Sequence, residues 1–448
     1  MDISAAAIAS IVALGIVVLI SCVNEDLNVG FLSIGFAIIV GAIWSGLSGA
    51  KILVESFPTS LFMILVGVTF LFGIAQTNGT MEKLTAYSIR LCKSNTALVP
   101  IIIYLLTTII TSIGPGNIAG TALMAPVAMA IASRVGLSAF LMTLLVVGAS
   151  NGAAFSPFAP TGIISNGIIA KMAPMLGITD LNALAWKIHF NSELGQGLVN
   201  IGGFFVLGGW AWMKKQKGSS LDIEELAPKP EPFNRNQWIT LASIGVLILL
   251  VVLPGLPATK ALFGPVAMSM FANVGTIAFI LGGLLMLVGA GDSEAAIGKV
   301  PWSVIMMVCG VSVLIDIIDR SGGLLALVKV LAVISNPTTI NGWLALITGA
   351  ISAYSSSSGV VMPMFLPMVP GLIEEIGGGN PIAMISSINV GAHLVDTSPL
   401  STLGALCIAC AGEHEDKSVL FRRLLFWGLS MSVVGAVACY IFFGLLNF

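Results

Sequence analysis

Charge is what this chain has least of. Only 9% of its 448 residues are Asp, Glu, Lys or Arg, against roughly 25% in an ordinary soluble domain, while 57% are hydrophobic. Water is therefore not the main solvent of the folded protein. A formal net charge of −2 excludes the basic footprint of a nucleic-acid binder and any strong membrane-surface patch. The six cysteines lie mostly inside apolar segments. Cys407 and Cys410 have CxxC spacing, but no His or second Cys pair lies nearby, and all six cysteines read as packing residues. The first apolar run is not preceded by a basic segment, so it reads as a retained helix rather than a cleaved signal.

What is present is apolar length. Runs approaching the roughly 20 residues needed to cross a bilayer recur along the whole chain, beginning with Ile3 to Cys22. Fifty glycines and twenty prolines suit close helix contacts and interrupted helices. The one long polar stretch, 214–236, is charged and carries prolines, and it reads as a linker between an N-terminal repeat, 1–213, and a C-terminal repeat, 237–448.

Those two parts match each other at an offset of 241 to 245 residues. Asn28-Val29-Gly30 returns as Asn273-Val274-Gly275. Pro58, Ser60, Met63, Gly67, Val68, Leu71, Ile74 and Gly79 return as Pro301, Ser303, Met306, Gly310, Val311, Leu314, Ile317 and Gly322. Pro126 falls on Pro367, and Ser156-Pro157 with Gly162 falls on Ser398-Pro399 with Gly404.

In the first repeat the apolar pattern predicts helices near 4–22, 29–49, 58–76, 137–170 and 193–213, with an amphipathic piece near 80–93. Residues 98–133 hold two apolar arms joined by TSIGPGNIAG, whose glycines and proline break a continuous span, and they predict a re-entrant hairpin. The second repeat predicts helices near 238–253, 265–290, 301–318, 380–410 and 421–446, with a hairpin at 338–376. Five crossings are an odd number, so the second repeat must lie upside down relative to the first. The fold expected is an all-α integral membrane protein of two inverted repeats, each of five transmembrane helices and one re-entrant hairpin. With the linker cytoplasmic, 13 of the 19 Lys and Arg fall on inside loops and both termini face outward.

Four segments break the apolar pattern at membrane depth, in matched pairs. The hairpin tips are Gly114 to Gly120 and Tyr354 to Gly359; the interruptions, within helices 137–170 and 380–410, are Ser150 to Gly162 and Gly391 to Gly404. Backbone that leaves a helix inside a bilayer is tolerated where it lines a cavity. Its helix N-termini then offer amide hydrogens to an anion, and its freed carbonyls suit a small cation. Asn117, following Gly116 at the first tip, both donates and accepts. Ser357 and Ser358 hold the matching places at the second tip. His393 and Asp396 stand in the second interruption, where an ionisable side chain marks substrate or proton handling, and Asn151 and Ala154 are their uncharged counterparts. Each of these polar residues also has a purely structural reading, as a helix cap or a buried pair. Asp316 and Asp319, near a helix end, read as solvated. No Lys or Arg falls in any tip or interruption, so a bound dianion would depend on amides, hydroxyls, helix ends and a co-bound cation, sodium or a proton.

The stretches TSIGPGNIAGTALMAPVAMAIA and GASNGAAFSPFAPTGIISNG resemble the dicarboxylate carrier family named for MatC, associated with malonate uptake. More distantly the whole chain is similar to the divalent anion/sodium symporters of the ion transporter superfamily, which carry Ser-Asn-Thr at each tip. Here the first tip reads Gly116-Asn117-Ile118 and the second Ser357-Ser358-Gly359. The resemblance implies that Ser150, Asn151, Gly152 and Ser156, with Thr397, Ser398 and Pro399, complete the substrate and cation sites. It also implies a homodimer in a bacterial-type inner membrane, working by an elevator motion with the pieces after Gly79 and Gly322 as connecting arms.

The function expected is a cation-coupled symporter of small dicarboxylates such as malonate or a C4 diacid, with no cofactor beyond the coupling ion. The alternative is a sodium/proton antiporter of the same superfamily using His393 and Asp396. An embedded hydrolase using Ser398 or Ser356 with His393 and Asp396 is disfavoured, since the sequence is read as having no nucleophile-elbow pattern and hydroxyls in gapped helices are commonplace.

Overall fold

The computed structural model describes residues 4–24, 27–45, 48–90, 96–217, 230–253, 273–412 and 415–446. Among the described residues all regular structure is helical. Six helices among the described residues are long and apolar enough to cross a bilayer, seven if the bent pair Val29–Trp44 and Gly49–Ser56 counts as one span. The chain is a multi-pass membrane protein. Its outward faces carry large apolar side chains such as Phe31, Val206 and Phe426, as expected where lipid is the solvent.

The first half runs Ala5–Val23, Val29–Ser45, Gly49–Ser56, Thr59–Thr77, Thr80–Ile89, a hairpin of Val99–Ile113 and Gly116–Val135, then Ala139–Ala153, Pro160–Met172 and Leu181–Phe204. The second half repeats that order: Arg235–Val252, Val274–Leu287, Ser293–Lys299, Trp302–Arg320, Gly323–Ile334, Ile340–Ser352, a segment from Ser357 to Glu375, Pro381–Leu394, Thr402–Ala409 and Lys417–Cys439. Two short helices, Gly49–Ser56 and Ser293–Lys299, appear where connections were expected. Most of the linker, the start of the helix expected at 265–290 and the end of the piece expected at 80–93 lie outside the described residues.

One helix departs from expectation for an instructive reason. Apolar runs predict a helix from about residue 193, whereas the helix begins at Leu181, capped by Asp180, whose side chain accepts from the Ala183 amide at 2.9 Å. The intervening run WKIHFNSE is polar enough to end a hydropathy-based span. Most of its polar side chains are turned inward: Asn191 donates to Ser386 at 2.9 Å, and Glu193 lies against Gly152 of the neighbouring helix.

The residues that reveal the repeat hold equivalent positions. Asn28 and Asn273 each accept from the amide two residues on, Gly30 at 3.0 Å and Gly275 at 2.9 Å, starting the helices that follow. Pro58 and Pro301 precede their helices with the same backbone, φ −79° and ψ 68° against φ −78° and ψ 65°. The halves then exchange partners: Val29–Ser45 packs on Trp302–Arg320, and Val274–Leu287 packs on Thr59–Thr77. Glycines allow both contacts. A Cβ on Gly310 would strike the backbone of Gly30, and one on Gly67 would come within 2.9 Å of the Gly275 carbonyl oxygen. Small residues are how helices approach closely in lipid, where burial of apolar surface gives no drive between them.

Candidate substrate site

The first tip is a tight turn. Gly114 has φ +154° and Gly116 φ +80°, with Pro115 between them, a combination that side chains with a Cβ rarely adopt. A Cβ at Gly114 would also strike the ring of Phe72. The second tip reverses direction by other means. Ser356 is extended and its hydroxyl accepts from the Gly359 amide at 3.0 Å, and a wide π turn, Ser357–Val361, opens the returning arm.

Both breaks use one backbone device. After Ala153 and after Thr397 the chain leaves its helix, and a new helix starts at Pro160 and at Thr402. The new helix lies directly on the carbonyl of the serine before it, so a Cβ on Gly162 would strike the Ser156 oxygen and one on Gly404 the Ser398 oxygen.

The tips and breaks meet around a single cavity of about 430 Å³, within the size range of ligand pockets. Gly116, Asn117, Ser357, Ser358 and Asp396 line it, as do Thr161 and Thr402 just beyond the breaks. Helix starts at Gly116, Pro160 and Thr402, and the π turn at Ser357, all border this space.

The remaining sequence-predicted residues are buried behind that lining, and the hydrogen bonds repeat with the halves. Asn117 Nδ2 donates to Asn151 Oδ1 at 3.0 Å. The equivalent pair, Ser358 Oγ and His393 Nε2, lies at 3.2 Å. His393 Nδ1 faces the Asn389 carbonyl at 2.9 Å, which can only accept, so Nδ1 carries a hydrogen, while Nε2 is turned to the Ser358 hydroxyl. Asn151 Nδ2 donates to the His393 carbonyl at 2.9 Å, and the rings of Phe155 and His393 meet edge to face at 4.9 Å. The two breaks are thus bonded to each other. Ser357 donates to Asp396 Oδ1 at 2.9 Å and lies 2.7 Å from the Ser352 hydroxyl. Thr121 donates to Ser150 at 2.8 Å.

Ser156 donates to the Ser112 carbonyl at 2.7 Å, fixing the break to the hairpin. Ser398 accepts from the Leu400 amide at 3.2 Å and packs on Gly428, away from the cavity; Thr397 donates to the Leu394 carbonyl at 3.4 Å, and Pro399 is buried. Gly152 meets Glu193 rather than the cavity. Asp316 is not merely solvated: it accepts from Arg320 at 2.8 Å, and Arg320 also bonds Glu55 at 3.1 Å.

Sequence reasoning passed over Lys299, which lines the cavity at the end of its short helix. The available signal was its place two residues before Pro301, where the first half has Ser56 before Pro58. The letters Gly148-Ala149-Ser150-Asn151-Gly152 fit a nucleophile elbow, but they lie inside the regular helix Ala139–Ala153, with Ser150 bonded to the Val147 carbonyl at 3.1 Å. An elbow needs a sharp turn out of a strand.

Residues 4–153 match the family model described as the N-terminus of dicarboxylate carrier protein MatC. That match, over about a third of the chain, is to a carrier family. It includes the first tip, one of the stretches in which the sequence resembles this family. No curated protein matches the chain. Among solved structures, the YdaH transporter of Alcanivorax borkumensis superposes with a TM-score of 0.59 at 18% identity, covering 88% of this chain and 87% of that one. MtrF of Neisseria gonorrhoeae, described within a class of antimetabolite efflux pumps, gives 0.59 at 14% identity, covering 90% and 83%. Both likenesses concern the fold.

Proposed function

We propose that the cavity binds a small dicarboxylate and that the chain moves it across the bilayer together with a cation. The observation that carries this reading is the convergence of helix starts at Gly116, Pro160 and Thr402, with the π turn at Ser357, on one space. The helix starts turn the positive ends of their dipoles toward it, favourable to an anion. Serine and threonine hydroxyls fill the gaps. Lys299 stands at the same cavity with no ion pair among the described residues. Asp396, the acidic residue of the lining, favours a co-bound cation, which would offset one negative charge beside the anion.

The inverted arrangement is part of the reading. Linker-side residues bond one another: Gln237 donates to the Asn78 carbonyl at 2.9 Å and Lys83 to the Pro232 carbonyl at 3.0 Å. A separate set joins Ser4 to Ser321 at 3.3 Å and Glu55 to Arg320. Antiparallel halves account for both layers, with the re-entrant tips between them. We read the linker side as cytoplasmic, and the motion as an elevator within a homodimer of the inner membrane.

Purified protein in proteoliposomes, given labelled malonate or a C4 diacid with an inward sodium or proton gradient, tests the reading. Uptake that follows the gradient and disappears in Asn117→Ala, at unchanged protein level, is the expected result. Full transport by that variant would remove Asn117 from the site. The antiporter reading has Asp396 at the cavity in its favour, and it requires cation exchange with no organic acid present.

A further inference from the structure

The helix Leu181–Phe204 has 24 residues, long enough to cross a bilayer, but it is amphipathic in the reverse sense of a soluble surface helix. Trp186, Phe190 and Leu198 are exposed on its outer side. His189, Glu193, Gln196 and Asn200, spaced by four, three and four residues, form a stripe on the opposite side, with Ser192 beside it. Ser192, Gln196 and Asn200 are 0 to 1% exposed. His189 Nδ1, Ser192 Oγ, Glu193 Oε1, Gln196 Nε2 and Asn200 Oδ1 are all buried atoms with no hydrogen-bond partner among the described residues.

The neighbouring helix makes room for this stripe. A Cβ on Gly148 would come within 2.5 Å of Asn200, and one on Gly152 within 2.8 Å of Glu193 Oε2. His189 also reaches the backbone of Gly152. Gly152 adjoins Asn151, which holds both Asn117 at the tip and the His393 carbonyl. The stripe therefore lies directly behind the first break, on the side away from the cavity.

Unpartnered polar atoms are costly in an apolar interior, and an unpaired carboxylate is the costliest. No ion pair reaches Glu193 among the described residues. Its titratable neighbours are His189 on its own helix and Tyr104 on the hairpin arm. The helix Ala139–Ala153 brings none, His393 is turned to Ser358 and Asn389, and Arg422 and Arg423 stand exposed at the start of Lys417–Cys439.

We infer that Glu193 is a proton-binding site through which transport is coupled to the proton gradient, with the polar stripe as the proton's route. Glu193 Oε1 forms an O–H bond with a proton delivered by water on one side of the membrane. The same bond breaks to water on the other side, so one proton enters and one leaves. Protonation changes what presses on Gly152, and Asn151 passes that change to the tip. This rests on the carrier reading and names its coupling ion.

Two measurements on the full chain test it. In proteoliposomes, labelled malonate uptake is compared with and without an acid-outside gradient, and the readout is the ratio of the two. The wild type is expected to show a ratio of about ten or more and Glu193→Gln a ratio near one; an unchanged ratio in the variant overturns the inference. Infrared difference spectra between acid and alkaline pH supply a readout independent of substrate, in which a carboxyl C=O band of the wild type is expected to vanish in Glu193→Gln. If the wild type takes up no dicarboxylate but the band behaves so, the substrate reading fails and the proton site stands. If the band persists, the proton site fails. Should Glu193→Gln not fold, Glu193→Asp must shift the pH at which the band appears, and an unmoved band is equally decisive against it.

Discussion

Ser156 with Gly162 and Ser398 with Gly404 set the same carbonyl under the same glycine, yet the first break carries Asn151 and Ala154 where the second carries His393 and Asp396. The backbone device is duplicated and the chemistry is not. Contacts that fix the chain path allow no side chain at all, so they hold both copies to glycine. Residues that face the cavity or the tips need only a hydrogen-bond partner, and a partner can be an amide, a hydroxyl or an imidazole. Hence Asn117 with Asn151 and Ser358 with His393 make equivalent bonds from different atoms.

That contrast can be broken most severely at the glycines. Gly162→Ala and Gly404→Ala each push a methyl into a carbonyl oxygen, and each should cost about 3 kcal/mol, the upper range for overpacking. The check is thermal denaturation in detergent; a large loss in one variant only would mean the breaks are not equivalent. Next come the side chains that differ. Asp396→Asn removes a carboxylate that accepts from Ser357, at about 1.5–3 kcal/mol, or roughly 10- to 100-fold in kcat/KM for uptake. Ser358→Ala leaves His393 Nε2 without its partner, an effect of about 1–2 kcal/mol, measurable as a lower substrate-induced thermal shift.

A smaller effect sharpens the comparison at Lys299, whose counterpart is Ser56. Lys299→Gln should raise KM for dicarboxylates about fivefold and for monocarboxylates less, with the difference shrinking as salt is added, because an exposed charge is screened. The smallest change is expected at Arg320→Gln. It removes exposed ion pairs to Asp316 and Glu55 and should lower stability by less than about 1 kcal/mol.

Much of this was legible in the letters because it rests on glycine, proline and asparagine in fixed order. Asn28 and Asn273 signal helix starts, Gly114 and Gly116 signal the turn, and Gly162 and Gly404 signal the breaks. What stayed hidden depends on distance through space. Lys299 sits on a short helix that no hydropathy pattern marks, and nothing local shows that it reaches the cavity. Glu193 was lost for the opposite reason: its polar surroundings look like the end of a span until the glycines at 148 and 152 are seen beside it. Ser398 stands in the repeated motif, but its hydroxyl accepts from the Leu400 amide and it packs on Gly428, outside the cavity lining.

The exchange of partners between halves governs how the protein is made. Val29–Ser45 emerges from the ribosome early, yet the helix it lies along, Trp302–Arg320, is synthesised some 270 residues later. Until then the Gly30 groove can only be filled by lipid, so the newborn N-terminal half waits in the membrane as an unfinished unit. Produced as separate polypeptides, the halves should be degraded alone and survive together.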